Sequence, residues 1–162
     1  MNVYEIILLC ILGISVLVSY YVYLRTDTQT NYFTHPFWFN MNQNVTKFLT
    51  VFQILAMIGF LIAIGSWLID PPKGGIMENY LFITLVVFFV SAAIWPFATY
   101  NKIVWLSVLS VVLTAISSIL LLAGSIEEKH QRLLIVAGLT FLCITTVLGD
   151  AVLWNANYIK NN

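Results

Sequence analysis

Five apolar runs decide most of what this chain can become. Residues 6–24, 48–69, 80–100, 103–123 and 133–154 each approach or exceed the roughly 20 apolar residues with which an α-helix crosses hydrocarbon. Lipid offers no water to complete a backbone hydrogen bond, so runs of this kind must satisfy their own amides as helices. The expectation is an all-α, polytopic integral membrane protein: one domain over residues 1–162, built as a bundle of five transmembrane helices. Composition agrees, with 60% hydrophobic and 9% charged residues, against about 25% charged in a soluble domain. Ahead of the first run stands Glu5 rather than a basic segment, and no small-x-small cleavage site precedes Arg25. That run therefore reads as a retained helix and not as a cleaved signal.

Charge removes some partners. Seven basic and seven acidic residues cancel, which leaves no basic surface for nucleic acid. Cys10 and Cys143 lie apart within apolar runs, a pattern that favours neither a disulfide nor a zinc site. No cofactor is implied by any motif. His35 and His130 fall in connections on opposite sides of the membrane, so they cannot together ligate a transmembrane haem. Phosphate-binding loops and nucleophile–base spacings are absent, and the chain reads as non-enzymatic. The sequon Asn44-Val45-Thr46 abuts a helix and reads as inert.

The connections are short except the first, residues 25–47. It contains the segment FTHPFWF, residues 33–39, whose aromatic surface is unusual for a loop. Asn101 and Lys102 barely separate the third and fourth runs, which must form a tight antiparallel hairpin. Arg25, Lys47, Lys102 and Lys160 fall on one side of the membrane and Lys73, Lys129 and Arg132 on the other, too even a split to orient the chain.

Tryptophans often anchor helix ends at headgroup depth, and that role covers most of the five here. Alternation of the spans, however, places Trp38, Trp95, Trp105 and Trp154 on one side and leaves only Trp67 opposite. The aromatic loop overlies the richer side, as a lid over a bundle pocket or as a plain interfacial anchor. Asp150 is the acidic residue well inside a run. At 1.5 Å per residue it lies roughly 26 Å along a helix crossing about 30 Å of hydrocarbon, near the far interface. It is either a functional carboxylate or one that reaches water. Thr146, one turn earlier, is placed to donate to it, and Gln53 is placed to line the same cavity. Ser110, Thr114 and Ser118 recur every four residues on the fourth run, as do Gly59 and Ala63 on the second. Small residues at this spacing let helices approach closely; the serine face alternatively meets another chain or lines a polar path. Pro96 is expected to kink the third helix near its end.

Three patches resemble the translocator protein (tryptophan-rich sensory protein) family, which has five helices and a Lys-Pro-x-Trp-x-Pro-Pro signature ahead of the second. Here Pro36-Phe37-Trp38 matches the Pro-x-Trp part, with Asn40 and Met41 where the two prolines would stand. Trp95-Pro96-Phe97 is similar to the family's Trp-x-Pro in the third helix, one residue shorter. Thr146, Leu148, Asp150, Trp154 and Asn157 resemble its last-helix pattern once one residue is inserted and Asp replaces Asn. The resemblance implies a bundle pocket for a tetrapyrrole or sterol-like ligand, with Trp38, Trp95 and Asp150 facing it and Phe37 among the covering aromatics.

Three functional classes follow: a module binding a hydrophobic small molecule; a structural or accessory subunit of a larger membrane assembly, such as a multisubunit complex or a membrane-containing virion; and, third, a channel or transporter. Partners in these readings are the lipid bilayer, a hydrophobic small molecule, and other membrane subunits or a second copy. Under the first reading, Trp38→Ala should weaken a hydrophobic ligand by more than about 1 kcal/mol, the scale of one lost aromatic contact. Equal affinity in a binding titration would remove the lid.

Overall fold

The computed structural model describes residues 3–24, 41–70, 75–127 and 133–161. Helices α1 (Val3–Leu24), α2 (Gln43–Ile69), α3 (Gly75–Tyr100), α4 (Val104–Glu127) and α5 (Leu133–Cys143) follow in chain order. α5 continues through a π-helical segment, Ile144–Trp154, into α6, Asn155–Asn161. The last three pieces act as one span, so the described residues contain five helices long and apolar enough to cross a membrane. It is an all-α, multi-pass membrane protein.

Helices overrun the apolar stretches where capping permits. α2 begins at Gln43 because the Asn42 side chain accepts from the Asn44 N–H at 2.9 Å, and the Asn42 carbonyl accepts from the Thr46 N–H at 3.0 Å. The first connection is thereby shortened to residues 25–42. The Thr46 hydroxyl is buried and turned back on the Asn42 carbonyl, which locks the sequon into the first turn of α2. The α3–α4 hairpin forms as expected. Lys102 adopts the left-handed conformation, φ 55°. Ile103 N–H then reaches the Ala98 carbonyl at 2.9 Å and Lys102 N–H the Thr99 carbonyl at 3.1 Å, the paired bonds of a Schellman ending.

Pro96 lies inside α3 and is fully buried. It deprives the Ala92 carbonyl of its usual amide donor. On the next carbonyl, Ala93, the Ser19 hydroxyl of α1 donates at 2.6 Å. A neighbouring helix thus supplies hydrogen bonding beside the proline, and α1 is tied to α3 by it.

Two apolar clusters divide the interior. One gathers Phe60, Ala63 and Trp67 of α2 with Leu85 and Phe88 of α3 and Leu139 of α5. The other lies toward the end that carries the first connection and contains Leu49, Trp95, Val111, Trp154 and Tyr158. α2 and α5 cross at Gly59 and Gly138. A β-carbon on either glycine would overlap the α-carbon and carbonyl of the other, so the backbones themselves are in contact. Ala63, one turn along, is fully buried. The small-residue spacing on α2 therefore serves close packing.

The serine face of α4 is turned inward, not toward another chain. Ser110 and Ser118 are buried. The Thr114 hydroxyl lies 2.8 Å from that of Ser91 on α3, and the Ser118 hydroxyl 2.6 Å from that of Thr146 in the π segment. Thr99 and Ser107 form a third pair at 2.8 Å. Leftover hydroxyl protons go to carbonyls a turn away, as from Ser110 to Ser107. The polar seam is satisfied within the chain.

Gly59→Ala should lower the thermal unfolding midpoint in detergent by the equivalent of about 1–3 kcal/mol, the cost of overpacking against a backbone that cannot yield. Gly65→Ala, with nothing within 4 Å, should hold or slightly raise it. Equal midpoints for the two variants would show that the glycine crossing does not govern stability.

Candidate functional site

At the end of the bundle that carries the first connection, aromatic rings join three spans. Tyr20 of α1 meets Trp95 of α3 edge-on, with centroids 5.9 Å apart. Trp95 meets Trp154 edge-on at 5.0 Å, and Trp154 stacks on Tyr158 at 4.7 Å with the planes inclined by 19°. Edge-to-face and offset arrangements suit the ring quadrupoles, and each pair adds about 0.5–1.5 kcal/mol beyond area burial. Trp154 and Tyr158 are fully buried. They share a face because they stand four apart where α-helix resumes.

The sequence-based expectations divide at this point. Trp95 and Trp154 do come together, and Trp67 belongs to the other cluster. Trp105 is 68% exposed and takes no part in the ring chain; it faces the surroundings as an interfacial anchor does. Trp38 and Phe37, with the rest of FTHPFWF, lie outside the described residues. Gln53 is half-buried on α2, one turn beyond Leu49, which packs over Gly149 of the π segment. Asp150 is also half-buried. Thr146 does not donate to it; that hydroxyl is engaged by Ser118 and by the Leu142 carbonyl at 2.9 Å. Among the described residues the Asp150 carboxylate has no hydrogen-bond or ion-pair partner. No three His, Cys, Asp or Glu side chains among the described residues gather as a metal site would require.

Hydrophobic patterning did not reveal the π segment, which changes the geometry around Asp150. π turns are rare and are frequently found at functional sites. Each takes more residues than an α turn and advances less per residue, so Asp150 lies deeper than an α-helical rise would place it. The segment sits within the span Leu133–Lys160, and that span continues beyond the carboxylate.

Asn155 closes the segment. Its backbone N–H bonds to the Asp150 carbonyl, five residues back, and to that of Val152. When an α pattern resumes after a five-residue bond, one carbonyl is skipped; here it is that of Ala151. The Asn155 side-chain amide donates to the Ala151 carbonyl at 3.2 Å. One side chain thus meets the backbone demand created by the change of winding, which would otherwise be costly in lipid. The only trace of this in the sequence is an Asn directly after a long apolar run.

Compared with known proteins, the chain matches no family model, no curated protein and no solved structure.

Asn155→Leu should leave the Ala151 carbonyl unpaired and cost about 1–3 kcal/mol. Hydrogen exchange of the amides from Gly149 to Tyr158 should accelerate, and the near-ultraviolet dichroism of the Trp154–Tyr158 stack should weaken. Unaltered exchange there would show that the winding does not depend on this amide.

Proposed function

We propose that this protein is a non-enzymatic membrane module that binds a hydrophobic small molecule at the aromatic end of its bundle. The observation that carries the reading is the ring chain Tyr20–Trp95–Trp154–Tyr158 beside the Asp150 carboxylate, which has no partner among the described residues. Aromatic walls with few polar groups are what small-molecule sites are made of. A carboxylate held inside a span at desolvation cost is a functional residue by default. In this reading the first connection, with Phe37 and Trp38, covers the site, and Gln53, Trp95 and Asp150 line it. The resemblance to the translocator family supports a ligand of tetrapyrrole or sterol-like size.

A second reading, an accessory subunit of a membrane assembly, is favoured by α1. It packs principally on α3, and Ile7, Ile14, Leu17 and Val18 face outward. A helix held by one neighbour offers a broad face to another chain. The inward serine face of α4 lends this reading nothing.

Native size separates the two. Extracted from its own membrane in mild detergent, the protein should run as a monomer or dimer, and a tetrapyrrole or sterol should quench its tryptophan fluorescence saturably. Migration in a large complex, without saturable quenching, would replace binding by the subunit reading.

A further inference from the structure

Two acceptors near the ring chain stand without a hydrogen-bond donor among the described residues. Asp150 offers a carboxylate with no donor among the described residues. One π turn on, the Asn155 Oδ1 is buried and accepts no hydrogen bond, since that side chain spends its amide N–H on Ala151. The bond from Asn155 N–H to the Asp150 carbonyl stacks these two residues along the helix axis. Buried acceptors without donors are rare and call for an explanation, and an absent ligand is one. The lysines described toward this end, Lys47, Lys102 and Lys160, are exposed, and none of them pairs with Asp150. Glu5 and Asp70 belong to the opposite end of their helices, so among the described residues no second carboxylate comes near it.

We propose that the ligand is a lipophilic amine: a polycyclic apolar body that lies against the aromatic end, with a protonated nitrogen donating to the Asp150 carboxylate and the Asn155 carbonyl oxygen. This rests on the binding-module reading and narrows it. A ligand whose polar end is anionic would meet Asp150 with like charge. A neutral hydroxyl could donate one hydrogen bond but would leave the carboxylate without a counter-charge, which is the costlier deficit inside a membrane. An ammonium group supplies both charge and donors, and charge-assisted hydrogen bonds are roughly twice as strong as neutral ones.

The test compares two molecules of the same shape, 9-(aminomethyl)anthracene and 9-(hydroxymethyl)anthracene, on the purified full chain in a neutral detergent. Energy transfer from tryptophan to anthracene reports binding, and protein-free micelles correct for partition. The wild type should prefer the amine by about tenfold or more, the worth of roughly one charge-assisted hydrogen bond. Asp150→Asn should bring the two affinities together, and Asp150→Glu should keep them apart. Equal affinities in the wild type, or a preference that survives Asp150→Asn, would overturn the proposal while saturable binding of the alcohol kept the binding module intact. Saturable binding of neither molecule would overturn the proposal together with the module. Should Asp150→Asn not fold, the wild-type ratio and Asp150→Glu decide: a ratio near one in the wild type overturns the amine, and a preference retained in both supports it.

Discussion

Within hydrocarbon there is no water to finish a hydrogen bond, and most of this structure answers to that constraint. The hydroxyls of Ser91, Ser107, Ser110, Thr114, Ser118 and Thr146 would be a liability on a lipid-facing surface. They are paired across helices or returned to carbonyls a turn away. The same pressure shapes the backbone. Ser19 donates to a carbonyl next to the one that Pro96 deprives, and Asn155 donates to the one that the change from π to α winding skips. Beside both of these irregularities a polar side chain donates to a backbone carbonyl.

Packing works by a different rule from that of a soluble core. Lipid tails are as apolar as leucine, so association gains little from burying apolar area and much from close contact. The α2–α5 crossing is the extreme case, because Gly59 and Gly138 put backbone against backbone. That contact holds the last span against α2, and Leu49 then seats over Gly149. The π segment is in this way fixed from two sides, by α2 at Leu49 and by α4 through the Ser118–Thr146 pair. A rare winding persists where neighbouring elements hold its residues in place.

The aromatic end follows from these arrangements. α3 carries Trp95 inward, and the close of the π segment brings Trp154 to it and stacks Tyr158 behind. Asp150 stands one turn before Trp154, at a depth set by the winding. An apolar wall of rings with a carboxylate beside it is an arrangement suited to holding a hydrophobic molecule by one polar atom. Asp150 and Asn155 present acceptors without donors among the described residues, which is why the proposed ligand is a donor.

Much of the architecture was legible in the residues. Apolar runs of membrane-crossing length, the two-residue gap at Asn101 and Lys102, and the small-residue spacing at Gly59 and Ala63 were enough for five helices, a tight hairpin and a close crossing. The physical reason is that hydrophobic length and backbone self-satisfaction are local demands, visible one segment at a time. The grouping of Trp95 with Trp154 was also legible, since alternating spans carry their ends to alternate sides. What only the tertiary structure decided is which way side chains turn and how the last span winds. Trp105 and Trp95 have equal claims by sequence, yet one faces outward and the other packs on Trp154. Thr146 is placed by spacing to serve Asp150 and is taken by Ser118 instead. The π segment depends on Leu49 over Gly149, on Ser118, and on Asn155 at its close; two of these partners lie on other helices, where no periodicity within the last run could reveal them.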